Sequence, residues 1–214
     1  MEFLNTKDCV RIKKTNSKNI RIVIKQKGEI ILNVPHYYSQ AQSMQLLQTH
    51  HQWIRKNLDK IALNNFQIQQ FLASHSDEIL FFGEWKKLEK YINLNYLKNH
   101  LNDYIQTKTA IFSEKMGLSY GKISIRCNKT RLGSCSYQNN LSFSILLIFA
   151  QKDLIDYVII HELSHIQHKN HSKAFWNFVE KFCPDYYLKR KNLHNQIKFY
   201  IPLLQKILSP SSDG

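Results

Sequence analysis

Apolar and polar positions change period several times along the 214 residues, and each change marks an expected element. From Val10 to Lys14, Ile20 to Lys25 and Glu29 to Val34, apolar residues alternate with basic ones, the period of half-buried strands. Asn16-Ser17-Lys18-Asn19 and Gln26-Lys27-Gly28 separate them as turns, which predicts a small antiparallel meander with lysines and arginines on its solvent side. Ser39 then caps a helix to about Leu63, with Met44, Leu47, His51, Ile54 and Leu58 on its inner face. A short strand pair is expected around Ile79 to Gly83. Helical spacing returns between Tyr96 and Met116 (Leu97, Leu101, Tyr104, Ile105, Ala110, Ile111), and Gly117 stops it as a left-handed cap. Two strands, Lys122 to Arg126 and Leu141 to Leu147, flank a polar loop. The next helix has Asp153 as N-cap, Asp156 at its third position, Val158, Ile159, Leu163 and Ile166 on its buried side, and Asn170 as a left-handed stop. Helices after Ser172 and after Tyr187 close the chain, and no internal repeat is visible.

This order predicts an α+β fold. An N-terminal antiparallel β meander plus helix (1–75) leads into a helical core with a short sheet (76–208) and a flexible tail (209–214), all in one compact unit.

Composition narrows the function. With 43% hydrophobic residues, six glycines and four prolines, the chain can bury a real core and carries no low-complexity tract. No apolar run reaches the roughly 18 residues of a membrane span, and Met1-Glu2-Phe3-Leu4-Asn5-Thr6-Lys7 lacks the basic-then-apolar order of a secretory signal, so a cytoplasmic protein is expected. Cys9, Cys127, Cys135 and Cys183 form no C-x-x-C clamp; reduced, mostly buried thiols are the expectation, although hairpin register could pair Cys127 with Cys135. The net charge is +14, and residues 1–60 hold 11 Lys/Arg against four Asp/Glu, half of the surplus. Attraction to nucleic acid or nucleotide phosphates is one reading; a solvated lysine-rich face is the plainer one.

The most specific chemistry lies in His161-Glu162-Leu163-Ser164-His165 followed, after five residues, by His171. Two histidines four apart on a helix stand one turn apart on one face, so their imidazoles can close on one metal ion while the adjacent glutamate reaches a water on that ion. This is the H-E-x-x-H pattern of zinc hydrolases, with Glu162 as general base and Zn2+ as cofactor. His171, just past the helix end, supplies a third ligand and leaves the fourth position open, as catalytic zinc requires. His168 lies about 10 Å along the axis from His161, too far to share the ion unless the helix breaks early; Glu180, on the next helix, is the fallback ligand. Phe175-Trp176 would pin the returning segment on the core. Ser134 and Cys135 invite a nucleophile reading, but no paired base is in view and turn and core roles are the plainer account.

These segments resemble the YgjP-like metallopeptidase family, zincins with kinship to the SprT-like proteases. The family carries R-W-G-S-C-S, then a strand, then I-D-Y-V-V-x-H-E-L-x-H, then N-H-S-x-x-F-W. Here Arg131-Leu132-Gly133-Ser134-Cys135-Ser136, Ile155 through His165 and Asn170 through Trp176 stand in those places, and the basic meander and Trp53-Ile54-Arg55-Lys56 also look like the family. The resemblance covers nearly the whole length and implies a zincin-like core, zinc on His161, His165 and His171, and Glu162 as the catalytic residue. Leu132 stands where the family usually has Trp; if that ring stacks on substrate, specificity here differs, and if it only packs, leucine is a mild change.

The expected reaction is hydrolysis of a peptide or protein by a water that zinc acidifies and Glu162 deprotonates. Leu141 to Leu147 would align an extended peptide by edge addition, and Arg131 would steady developing negative charge or form a structural salt bridge. The rival class is a metal-dependent phosphohydrolase acting on nucleoside triphosphates drawn in by the basic N-terminal face. A non-catalytic zinc module that binds nucleic acid is disfavoured by the three-ligand count; a protease recruited to DNA is its active variant.

Overall fold

The computed structural model describes residues 10–89 and 92–208. The expected tail at 209–214 and Cys9 lie outside them. The fold is α+β, and its contacts divide the chain into two compact units, Met1–Gln70 and Phe71–Gly214.

In the first unit, strands β1 (Val10–Thr15), β2 (Arg21–Ile24) and β3 (Ile30–Pro35) form a sheet in the order β1-β3-β2, with β1 parallel and β2 antiparallel to β3. The antiparallel meander is therefore corrected. Ile30, Ile31, Leu32 and Val34 are all buried, so the most apolar strand takes the centre. The strands that alternate with Arg11, Lys13 and Arg21 become the charged edges, which resist further pairing. Glu29 pairs with Lys25 at 3.1 Å and Arg11 at 3.7 Å.

Ser39 does cap the following helix, in a full capping box with Gln42. The single expected helix is two, α1 (Gln40–Thr49) and α2 (His51–Ala73), with the break at His50. Leu47 and Ile54 face the core, whereas Met44 and His51 are exposed.

The second unit holds everything else. Hairpin β4 (Glu78–Phe81) and β5 (Glu84–Lys87) turns at Phe82 and Gly83, both with positive φ, the two-residue turn whose twist suits a hairpin. Asn93 caps α3 (Leu94–Met116) and Gly117, at φ 65°, ends it. Its buried face runs through Leu97, Leu101, Ile105, Thr109, Ser113 and Met116; the expected Ala110 and Ile111 point to solvent, because the buried stripe is held at positions three and four apart.

A second sheet has the order β6-β8-β7, from β6 (Ile123–Arg126), β7 (Gly133–Cys135) and β8 (Leu141–Ser144). β6 runs parallel and β7 antiparallel to β8. Two expectations change. The polar loop contains a strand, β7, too short to show a period. The strand from Leu141 ends at Ser144, and Ile145–Phe149 form a wholly buried 3-10 helix. A continuous apolar run carries no period to separate the two forms; here the Ser144 hydroxyl decides, donating to Asn128 O at 2.6 Å and accepting from Leu146 N at 3.2 Å.

α4 (Lys152–Gln167), α5 (Lys173–Phe182) and α6 (Tyr186–Leu208) complete the unit. α4 begins one residue before the expected cap, after Gln151, so Asp153 lies inside its first turn. Asp156 ties α4 to α3, accepting from Tyr104 Oη at 2.7 Å and Lys108 Nζ at 3.2 Å. Among the described residues no helix is long and apolar enough to cross a membrane. Cys127, Cys135 and Cys183 are free thiols; only Cys183 is buried.

Candidate metal centre

α4 carries the site because Ile155, Val158, Ile159 and Leu163 anchor one side of it in the core, leaving His161, Glu162 and His165 toward β7 and the segment that follows. The helix stops at Gln167 by turning extended at His168, not by a left-handed Asn170, whose side chain instead accepts from Ser172 N at 3.3 Å. That early turn has a chemical consequence. His165 Nδ1 donates to the His168 carbonyl at 3.1 Å, which fixes the tautomer and turns Nε2 outward.

The chain then returns. Ser172 caps α5, accepting from Phe175 N at 3.4 Å, and brings His171 over the end of α4. Phe175 is fully buried and touches all three imidazoles, with ring centroids 4.5 to 5.0 Å away. Trp176 stacks on His171 at 5.6 Å and on Tyr186 of α6 at 5.2 Å. The expected aromatic pin is thus present, and it braces ligand candidates as well as the returning chain.

His161, His165 and His171 each offer a nitrogen, and these atoms lie within 4.8 Å of one another. His171 Nε2 is 3.1 Å from His161 Nε2. Two imidazole nitrogens on one tetrahedral zinc, each bound at about 2.0–2.1 Å, stand about 3.3 Å apart. Burial first, then the neighbouring histidines and Arg190, bring the His161 pKa down to about 3, and burial also lowers that of His165. Both rings are therefore neutral at ordinary pH, the form that binds metal. Neither Glu180, exposed on α5, nor His168 joins the cluster among the described residues.

Glu162 is 5% exposed, and its Oε2 is buried without a hydrogen-bond partner. An orphaned carboxylate oxygen is costly unless something arrives to use it. Burial raises its pKa to about 8, with Arg131 pulling the other way. Arg131 itself forms no ion pair among the described residues, so its structural salt bridge is not formed. Gly133 is a site residue with no counterpart among the expected ones. A Cβ there would strike Glu162, with Cγ at 2.7 Å and Cδ at 2.8 Å, so only glycine lets β7 lie over the carboxylate.

The strand expected to align a peptide by edge addition has no free edge. β8 is the central strand, paired on both sides, and β7 is the outer one. Ser144 N bonds Leu132 O and Ser136 N bonds Asn140 O, so ladder alternation turns the amide and carbonyl of Gly133 and Cys135 away from β8. Ser134 and Cys135 are strand residues, not turn residues, and the Cys135 thiol donates to Ser136 O at 3.4 Å.

Two hollows meet at Glu162. One, of about 320 Å³, is lined by Ser134, Cys135, His165, Lys169 and His171; the other, of about 300 Å³, by Tyr157, Val158, Arg190, Leu193, His194 and Ile197, and Arg131, Gly133, His161 and Glu162 border both. Tyr157, one turn before His161, was in reach of the helical period. The α6 residues were not: nothing in their spacing connects them to a motif about 30 positions earlier.

The family model for the YgjP-like metallopeptidase domain matches residues 18–91 and 83–196. Among solved structures, the metallopeptidase zymogen abylysin of Pyrococcus abyssi is 20% identical over 43% of this chain and 93% of that one, with a TM-score of 0.41. The metallopeptidase zymogen jannalysin of Methanocaldococcus jannaschii is 22% identical over 41% of this chain and 94% of that one, with a TM-score of 0.36. No curated protein sequence matches.

Proposed function

Because this chain belongs to the YgjP-like metallopeptidase family, we propose that it hydrolyses peptide bonds, with a zinc ion held by His161, His165 and His171 and with Glu162 as general base. When bound, zinc would supply a Lewis acid for the substrate carbonyl and lower the pKa of a water toward 7. One observation carries the reading: three imidazoles within 4.8 Å of one another beside a buried carboxyl group that has an oxygen to spare. Three histidines leave a coordination position open, whereas a structural zinc normally has four protein ligands.

Glu162 takes the proton of the attacking water on Oε2 and returns it to the leaving amine. Burial raises the Glu162 pKa in the metal-free protein, and the charge of a bound zinc beside it would favour the carboxylate, the form that accepts the proton. The outward amide and carbonyl groups of Gly133 and Cys135 on β7 hold an extended peptide across the site by strand addition. Arg131, free of any ion pair among the described residues and close enough to act on Glu162, supports negative charge that develops on the substrate.

A second reading draws on a specific feature, the guanidinium groups of Arg131 and Arg190 beside the site. They would also suit a nucleotide phosphate, as would a net charge of +14, and the same histidines and Glu162 would then serve phosphoanhydride hydrolysis.

The test is proteolysis of casein and of a mixed peptide library, with nucleoside triphosphates in parallel, before and after chelation and zinc restoration. Cleavage of peptides that disappears with chelator, returns with zinc and is absent in Glu162→Gln supports the peptidase reading. Pyrophosphate or phosphate release without any peptide cleavage would replace it with the second.

A further inference from the structure

The hollow on the α6 side of Glu162 has an uneven lining. Leu132, Val158, Leu193, Ile197 and the ring of Tyr157 give it apolar walls, and Arg131, Arg190 and His194 bring cationic or protonatable groups to it beside the site's own His161 and Glu162. Neither arginine forms an ion pair among the described residues, although Lys25, Lys108 and Lys189 all do. Arg190 is not loose. Its guanidinium lies 4.9 Å from the centre of the Trp176 ring, and Trp176 itself stacks with both Tyr186 and His171. The aromatic stack that braces His171 thus also holds a positive charge at the mouth of the hollow. The arginine remains exposed, so its fork of donors is available to a ligand.

We infer that this hollow is the specificity pocket for the residue next to the scissile bond, and that it selects a carboxylate on a short hydrocarbon stem, which Arg190 and Arg131 clamp. This rests on the peptidase reading and names its substrate class. The volume, about 300 Å³, accommodates one side chain. Apolar walls suit the stem, and guanidinium pairs recognise a carboxylate in the plane of their two donors.

Two sources present such a group: an Asp or Glu side chain within the peptide, and the carboxylate that ends a chain. The test separates them. Zinc-loaded wild-type protein digests one degenerate peptide library in two forms, with free and with amidated C-termini, and mass spectrometry reads every cleavage site. The inference expects Glu or Asp beside the cleaved bond at least tenfold above Gln or Asn in the amidated library. If terminal carboxylates are the source, removal of single C-terminal residues from the free library instead exceeds that from the amidated one by the same factor. In Arg190→Gln the preference ratio falls toward one, and in Arg190→Glu it turns toward Lys. A second readout needs no turnover: calorimetric binding of an amidated Glu-containing product peptide to Glu162→Gln, weakened at least tenfold when Arg190→Gln is added.

Efficient cleavage with no acidic or terminal preference, or a preference that survives both Arg190 variants, overturns the inference and leaves the peptidase reading standing. No cleavage in any library overturns both.

Discussion

Glu162 is the residue on which the proposed chemistry turns, and its surroundings make separable predictions. Glu162→Gln keeps the shape of the side chain and removes the base, so it should retain one zinc per chain by metal analysis while peptide turnover falls by at least about 10²-fold. Gly133→Ala should act on the same carboxylate from above, because the new Cβ has no room beside Glu162 Cγ and Cδ. Displacement of the base by even about 1 Å can cost on the order of 10²-fold in rate; kcat should drop with zinc content unchanged. Metal-free protein offers a third test through pH. His161, with its pKa lowered to about 3, binds its proton less readily folded than unfolded, so stability rises with pH between about 3 and 6.5, and His165 adds in the same sense. Glu162, raised to about 8, holds its proton more readily folded, so it removes stability between about 4.5 and 8. The two oppose each other from 4.5 to 6.5, leaving a fall above 6.5 that belongs to Glu162. At about 1.4 kcal/mol per pH unit that fall amounts to about 2 kcal/mol by pH 8. Urea unfolding of metal-free wild type should record it, and metal-free Glu162→Gln should not.

At the scale of elements, the site depends on how α4 ends and what holds it down. Asp156 bridges α4 to Tyr104 and Lys108 on α3 and is half-buried. Asp156→Ala should cost about 1–3 kcal/mol in chemical denaturation, since two charge-assisted bonds are lost and the Tyr104 hydroxyl keeps only a 3.3 Å contact with the Lys152 carbonyl. Much at this scale was legible. H-E-x-x-H with a later histidine led to the three imidazoles that converge, because helical period alone puts residues 161 and 165 on one face. Capping chemistry identified Ser39 and Gly117. What stayed hidden were features set by partners distant in sequence. β7 is three residues long and exists because β8 needs a neighbour on that side. The central position of β3 follows from which strand is most apolar, a comparison between strands and not a period within one. Asn170 read as a helix stop because of its residue type; the backbone had already turned at His168, where the carbonyl serves His165. Arg190 reaches the site because α6 packs back on α4 and on Trp176.

For the molecule as a whole, every residue of the proposed metal and substrate site lies within Phe71–Gly214. Zinc that binds only the folded form stabilises it by about 2.7 kcal/mol at a free concentration one hundred times the dissociation constant. Saturating zinc should therefore raise the melting temperature of wild type by several degrees and leave that of His171→Ala unchanged. The charge of +14 makes a separate prediction: any association with DNA should be lost steeply between low and physiological salt.

X-ray absorption at the zinc edge of purified wild-type protein reads the central arrangement most directly. Three imidazole nitrogens and one oxygen at about 2.0–2.1 Å are the result this account requires. A shell containing sulfur at about 2.3 Å, four protein ligands, or no bound zinc would contradict it.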